Sequence, residues 1–122
     1  MTPAELAAAS ASDLVNAYAQ AARAHAAATE SGRHRVANRA HDDLGHLFAE
    51  LRRRGPVGLA TLAVRLDDAE PAVRCWAATH ALSFAPERGA AVLEALAGGA
   101  PSPLRLAAEM TLQEWRAGRL RF

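Results

Sequence analysis

The sequence contains no isoleucine and no lysine, and it has a single cysteine, Cys75. Aromatic residues make up only 5% of the 122 residues, although 51% of the chain is hydrophobic, because alanine supplies much of the apolar content. Strands favour β-branched and aromatic side chains, whereas alanine is the strongest helix former. The composition therefore predicts an all-α fold and argues against a sheet.

The single cysteine, the small net charge and the lack of long apolar runs limit the classes of protein to which this chain can belong. One cysteine cannot form an intramolecular disulfide, so no oxidising compartment is implied. The fourteen basic residues, all arginines, face thirteen acidic residues, and a formal charge of +1 argues against a nucleic-acid binder. The N-terminus lacks a signal-peptide pattern, and no stretch approaches the roughly 20 apolar residues of a membrane span. We therefore expect a cytoplasmic protein without a membrane association.

Capping signals place the first two helices. Thr2, Pro3 and Glu5 have the pattern of a capping box at the start of a short helix. Ser12 with Asp13 predicts the start of a second helix, which Ser31-Gly32 ends. Apolar spacing gives this second helix a buried face made of Leu14, Tyr18, Ala21, His25 and Ala28.

A third helix is predicted over residues 33–54, and Gly55-Pro56 ends it. Its last turn contains three consecutive arginines, where positive charge suits the helix dipole. Its apolar stripe consists of Val36, Ala40, Leu44, Leu47 and Leu51, and its opposite side carries Arg35, Arg39, Asp42 and His46.

The second half of the chain repeats. The segment "GLATLAVRLDDAEPAVRCWAA" (58–78) aligns without gaps on "GAAVLEALAGGAPSPLRLAAE" (89–109), at an offset of 31 residues. Each copy has the pattern of a helix, a proline-containing turn and a second helix, which is typical of a short α-solenoid. We predict one domain over 1–122, with residues 1–55 as first layer and cap, and with two helical hairpins at 56–85 and 86–118.

The first copy, "LDDAEPAVRCWAATHAL" (66–82), resembles the HEAT-repeat consensus. The resemblance implies that Asp67 or Asp68, together with Arg74, helps to fix the turn and to stack neighbouring units. The second copy keeps Arg105 but has Gly98 and Gly99 in place of the aspartates.

Nearly the whole chain is similar to a small bacterial family of HEAT-like proteins, the domain-of-unknown-function family numbered two thousand and nineteen. The similarity includes "LVNAYAQAA" (14–22), "ANRAHDDL" (37–44), "ELRRRG" (50–55) and "EMTLQEWRAG" (109–118). The family implies a fold and assigns no activity. By analogy with other small HEAT-like proteins, a toxin-neutralising immunity protein is the most specific expectation.

Cys75 and His80 raise the question of a reactive thiol. Residues five apart on a helix are displaced by about 140°, so the two side chains do not face each other. Cys75 also aligns with Leu106 of the second copy. We therefore expect Cys75 to be a small buried apolar residue rather than a nucleophile.

Trp76 admits two interpretations. It shares a helix face with His80 and Ser83, whereas Val73, Ala77, Ala81 and Phe84 form the buried face. A partly exposed Trp76 on the inner face of the repeats is typical of an interface anchor. Alternatively, the preceding helical layer covers it. The repeat offset places Trp115 at the position of Phe84, which predicts that Trp115 is core.

We predict a non-enzymatic protein-binding module, because no phosphate loop, nucleophile elbow or other enzyme motif is present. The histidines supply no set of three metal ligands at a suitable spacing, so we expect no metal and no cofactor. A nucleic-acid-binding HEAT-like module, which would use the arginines at 52–54 and near the C-terminus, is the alternative. The predicted partner-binding residues are Arg35, Arg39, Asp42, His46, Trp76, His80, Thr111 and Glu114.

Overall fold

The computed structural model describes residues 1–122 and contains seven α-helices and no strand. The helices are α1 (Pro3–Ala8), α2 (Ala11–Ser31), α3 (His34–Arg53), α4 (Pro56–Ala63), α5 (Pro71–Ala81), α6 (Pro86–Ala97) and α7 (Pro103–Arg116). A 3-10 helix covers Val64–Asp67. The predicted all-α fold is confirmed. None of the helices is both long enough and apolar enough to span a membrane.

Proline and glycine mark the ends of the helices. Five of the six prolines stand at the first position of an α-helix, where the fixed φ angle suits the helix and the missing N–H costs no hydrogen bond. Gly32 and Gly55 adopt positive φ angles of 72° and 77°, which glycine accepts more readily than other residues. The predicted helix ends at both glycines are confirmed.

Side-chain caps fix the starts of α1 and α2. The Thr2 hydroxyl accepts from the Glu5 N–H at 3.1 Å, and the Glu5 carboxylate accepts from the Thr2 N–H at 3.0 Å, which confirms the capping box. The prediction that α2 starts at Ser12 is wrong, because the N-cap residue is Ser10. Ser10 accepts from the Asp13 N–H at 3.0 Å, and Ser12 lies inside the first turn.

The chain forms two compact units, Met1–Val64 and Arg65–Phe122. In the first unit, α2 and α3 pack as a pair, and α4 packs against both. The predicted apolar stripe of α3 is buried except for Val36, which is 43% exposed because it lies in the first turn of α3, next to the turn at Gly32. The largest fully buried side chains of this unit are Leu14, Tyr18, Leu44, Leu51 and Leu62.

In the second unit, α6 packs against both α5 and α7. Its core is made mostly of small side chains, with Val73, Ala77, Ala81, Leu93 and Ala108 fully buried. The prediction that Phe84 and Trp115 are core residues is wrong, because both are partly exposed. Phe84 follows the end of α5, and Trp115 lies in the last turn of α7.

Glycines of the two repeat copies lie at close backbone contacts. A Cβ atom added to Gly58 of α4 would collide with the carbonyl oxygen of Leu51 on α3. A Cβ atom added to Gly89 of α6 would lie 2.7 Å from the carbonyl oxygen of Ala78 and 3.1 Å from the backbone nitrogen of Leu82. Both pairs, Gly58 with Gly89 and Leu51 with Leu82, are related by the 31-residue offset. The repeat therefore reproduces one helix contact in each unit.

The arginine shared by both repeat copies closes a turn through the backbone. Arg74 Nη1 donates to the carbonyl oxygens of Asp68 and Ala69, at 2.8 and 3.1 Å. Arg105 Nη1 donates to the carbonyl oxygen of Gly99, the repeat equivalent of Asp68, at 3.2 Å. Because the acceptor is a carbonyl, the second copy keeps the contact although it has lost the aspartates. The Asp68 carboxylate instead pairs with Arg65 at 2.8 Å.

The boundary between the units falls inside the predicted first hairpin, residues 56–85. α4 packs with α2 and α3, whereas α5 packs with α6 and α7. The prediction of a single domain with internal layers therefore stays a prediction.

The repeated glycine contact is testable by alanine substitution. We expect Gly58→Ala and Gly89→Ala each to lower the free energy of unfolding by about 1–3 kcal/mol or more, because the added methyl forces two helix backbones apart. Gly45→Ala is the matched control in α3. Nothing lies within 4 Å of its Cβ position, so it should stabilise by about 0.5–1 kcal/mol. Urea unfolding measures all three, and wild-type stability in Gly58→Ala or Gly89→Ala would contradict the packing.

Candidate functional site

The eight predicted partner-binding residues divide evenly between the two units. The first unit contains Arg35, Arg39, Asp42 and His46, and the second contains Trp76, His80, Thr111 and Glu114. Each set is therefore a surface in its own right.

The first set lies along the solvent side of α3. Arg35, Arg39, Asp42 and His46 are all exposed, as expected for the side opposite the buried stripe. The Asp42 carboxylate lies 3.7 Å from Nδ1 of His41. The surface mixes both signs of charge over about three turns of helix.

His46 also borders an open hollow of about 290 Å³ in the first unit. Its walls combine apolar residues with three polar ones, Asp43, His46 and Gln20. Small-molecule sites occupy about 300–1,000 Å³, so the hollow lies at the lower end of that range. The remaining lining residues are Met1, Leu6, Ala17, Ala21, Ala24 and Leu47.

Arg54 holds α1 at this hollow. Arg54 Nη2 donates to the carbonyl oxygens of Leu6 and Ala7, at 2.9 and 3.3 Å, and so binds carbonyl groups at the C-terminal end of α1. Arg54 Nε pairs with Glu50 at 2.9 Å, and Arg53 pairs with the same carboxylate. These hydrogen bonds lower the pKa of Glu50 to about 2, and the hydrogen bond from Arg53 has the largest effect. The sequence did not indicate the hollow, because it forms only when α1 packs against α3.

In the second unit, Trp76 and His80 lie side by side on α5. Their ring centroids are 5.9 Å apart with an interplanar angle of 40°. Both side chains are partly exposed, whereas Val73, Ala77 and Ala81 on the same helix are fully buried. Trp76 is therefore neither a core residue nor a freely exposed one.

Thr111 and Glu114 of α7 complete the second set, and both are partly exposed. Glu114 accepts two hydrogen bonds from Arg119, at 2.9 and 3.0 Å. The hydrogen bonding with Arg119 lowers the pKa of Glu114. A partner that binds Glu114 has to compete with this ion pair.

Cys75 is buried, as predicted. Its side chain is 6% exposed, and burial raises the pKa of the thiol to about 11. A nucleophilic cysteine requires an accessible thiolate, which burial disfavours. The hydrogen-bonded neighbour of Cys75 is Thr79, whose hydroxyl donates to the Cys75 carbonyl oxygen at 2.8 Å.

Two histidines form a pair between α2 and α3. The rings of His25 and His41 are 6.5 Å apart, centroid to centroid. Burial lowers the pKa of His25, and the charge of His41 lowers it further. No group of three or more His, Cys, Asp or Glu side chains is arranged to hold a metal ion.

The fold is similar to that of the protein RPA1889 from Rhodopseudomonas palustris CGA009, known from a crystal structure. The TM-score is 0.88 at 23% sequence identity, and the match covers 96% of this chain and 97% of that chain. At this identity the likeness shows a shared all-helical fold and carries no information about activity. No protein-family model matches the chain, and no curated protein matches it. Membership of the family numbered two thousand and nineteen stays a prediction.

The burial of Cys75 predicts slow thiol chemistry. We expect Ellman's reagent to modify the folded protein only as fast as it opens, because the thiol is both covered and protonated. In denaturant the reaction should be complete within the mixing time of a manual assay. Cys75→Ala combined with Ser83→Cys supplies an exposed thiol as control. Equal rates for the native protein and this control would contradict the burial of Cys75.

The lowered pKa of His25 predicts a loss of stability in mild acid. In the unfolded chain the pKa returns to about 6.5, so the unfolded state binds more protons between the two pKa values. The contribution of neutral His25 is complete above the unfolded pKa and is lost as the pH falls through the folded one. Urea unfolding at a series of pH values between about 7.5 and 5 measures this slope.

The matched variants are His25→Gln and His34→Gln, since His34 is exposed at the start of α3. We expect His25→Gln to reduce the slope of stability against pH and His34→Gln to leave it unchanged. A slope that is identical in His25→Gln and the wild type would assign the pH dependence to another group.

Proposed function

We propose that this chain is a non-enzymatic protein-binding module of HEAT-like helical repeats, similar to the bacterial family numbered two thousand and nineteen. The observation that carries the proposal is the partial exposure of Trp76 beside His80. A tryptophan that is half covered by its own fold keeps a fixed orientation and still offers apolar area to a partner. Such residues are enriched among the anchors of protein interfaces.

The repeated contacts support the HEAT-like part of the proposal. Gly58 and Gly89 lie at equivalent helix contacts, and Arg74 and Arg105 close equivalent turns. A helix, a turn closed by an arginine, and a second helix are the features that the resemblance to HEAT repeats implies.

The surface of the first unit carries both positive and negative side chains, which supports the proposal of a protein partner. Arg39 and Asp42 offer hydrogen-bonding groups of both signs, and His46 beside them borders the hollow of about 290 Å³. A lysine or arginine of a partner fits this hollow chemically, with its stem against the alanines and its charge at Asp43. Polar rims of this kind surround apolar centres in protein interfaces.

The alternative, a nucleic-acid-binding module, has less support from the charges. Phosphate contacts require arginines whose charge is available. Arg53 and Arg54 both bind Glu50, Arg116 binds Glu94 at 2.7 Å, and Arg119 binds Glu114. Binding to phosphates through these four arginines would have to break ion pairs that the fold already makes.

In its most specific form, the proposal makes the partner a bacterial toxin that this chain neutralises. This step rests on the resemblance to small HEAT-like immunity proteins alone.

Replacement of Trp76 tests the proposal. We expect Trp76→Ala to keep the helical fold, because the side chain is partly exposed, and to weaken partner binding by about thirtyfold or more, as for other interface anchors. Immobilised wild-type and variant chains are exposed to a lysate of the native cell, and captured proteins are quantified by mass spectrometry. Circular dichroism checks that each variant is folded.

Trp115→Ala is the matched control, since Trp115 is the other tryptophan, is also partly exposed, and belongs to α7. Equal losses of capture in Trp115→Ala and Trp76→Ala, or unfolding of Trp76→Ala, would contradict the proposal that Trp76 is the interface anchor. Capture that is nuclease-sensitive and falls steeply with salt would favour the nucleic-acid alternative instead.

A further inference from the structure

The hollow of the first unit is lined by residues of three helices. One wall consists of three alanines of α2, whose spacings of four and three residues place them on one helix face: Ala17, Ala21 and Ala24. Leu47 of α3 and Leu6 of α1 also line the hollow. Because the alanine side chains are small, space remains between these helices. The wall of α2 is therefore apolar and shallow, and it suits the carbon chain of a ligand.

The polar residues of the hollow can all accept hydrogen bonds. The Asp43 carboxylate accepts at both oxygens, the Gln20 amide accepts at its carbonyl oxygen, and the His46 ring accepts at its bare nitrogen when it is neutral. Asp43 and His46 lie one turn apart on α3, and Gln20 is contributed by α2. A pocket with apolar walls and a few convergent polar groups is the usual form of a binding site. A cation with several N–H donors complements these acceptors.

The negative charge of Asp43 is available to such a cation. Asp43 forms no ion pair within the chain, whereas Glu50, two turns further along α3, binds both Arg53 and Arg54. Arg54 also reaches α1, where its guanidinium donates to C-terminal carbonyl oxygens of that helix. The arginine nearest to α1 is therefore already bound elsewhere, and no cation of the chain competes for Asp43.

We propose that the hollow binds an arginine side chain of the protein partner, with the guanidinium at Asp43 and the carbon stem against the alanine wall. A planar guanidinium forms a bidentate pair with a carboxylate and keeps further N–H groups for Gln20 and His46. A lysine ammonium is a compact charge with fewer donors and cannot form the planar bidentate pair. The site therefore prefers arginine to lysine.

The surroundings of the hollow favour a side chain as its occupant. The hollow is open to solvent, and its three polar residues are exposed, so the main chain of a partner can remain outside while one side chain enters. His46 belongs both to the hollow and to the predicted partner-binding surface of α3. The inference thus rests on the proposed function, and it names a residue type that the partner presents.

Binding of capped amino acids to the whole chain tests the site without the partner. The probes are the acetylated N-methylamides of arginine, lysine and citrulline, and citrulline has the shape of arginine without its charge. Amide NMR titrations give the dissociation constants. We expect about 1–10 mM for the arginine probe. The constant should be about threefold higher or more for lysine and about tenfold higher for citrulline, which forms no charge-assisted hydrogen bond.

Three variants locate the bound probe. Asp43→Asn should raise the dissociation constant of the arginine probe about tenfold, because the charge-assisted pair is lost. Ala24→Leu should raise it about threefold or more, because the larger side chain covers the alanine wall. Gln20→Leu should remove most of the preference for arginine over lysine. All three residues are exposed, so we expect folded variants, which circular dichroism checks.

Glu30→Gln and Ala27→Leu are the matched controls, because both residues are exposed on α2 and neither lines the hollow. We expect both variants to bind the arginine probe as the wild type does. Equal affinities for the arginine and citrulline probes, or for the arginine and lysine probes, would overturn the proposal. Unchanged affinity in folded Asp43→Asn, or an equal loss in Glu30→Gln, would also overturn it.

The outcome is separable from that of the proposed function. If the arginine probe does not bind at up to about 50 mM, the arginine site is refuted, even where Trp76→Ala weakens partner capture. If the arginine probe binds as expected and Trp76→Ala captures as the wild type does, the site stands and Trp76 is not the interface anchor.

Discussion

The fold depends on helices whose backbones come closer than side chains would allow. At Gly58 and at Gly89 the space that a Cβ atom would fill is occupied by the backbone of the preceding helix. Close packing of this kind requires small residues along the contact, and the alanine-rich composition supplies them. Alanine buries little area per residue, whereas the larger apolar side chains bury or expose much more. Their placement decides which surfaces remain available for binding.

The all-α fold was predictable because its signals are local. Proline at the first helical position and glycine at the ends depend on the conformation of a few residues, and the resemblance to HEAT repeats implied that Arg74 helps to fix a turn. Errors occurred where two local signals compete, as when Ser10 rather than Ser12 caps α2. Val36 fits the helical period but lies at the end of a helix pair, where periodicity carries no information about what covers a residue.

The candidate site was less predictable, because exposure depends on contacts between distant helices. The sequence grouped Trp76 with His80 on one face of α5 but left its cover undecided, and the structure shows partial cover. Trp115 was assigned to the core from its alignment with Phe84, yet both side chains lie near the ends of their helices and are partly exposed. The hollow at His46 depends on the hydrogen bonds that Arg54 donates to α1, 47 and 48 residues away in sequence. No local pattern encodes such a contact.

The distribution of ion pairs also explains why a nearly neutral chain presents apolar surfaces. Arg105 with Glu109, and Arg119 with Glu114, form neutral pairs along and just after α7, whereas Glu50 pairs with two arginines at the end of α3 and offsets one of their two charges. Exposed pairs of this kind add little to stability. Their larger effect is to remove net charge from the neighbourhood of exposed apolar groups. Desolvation of those groups then costs a partner less, since no unpaired charge has to be buried with them. The same pairing that disfavours a polyanion therefore supports the proposal of a protein partner.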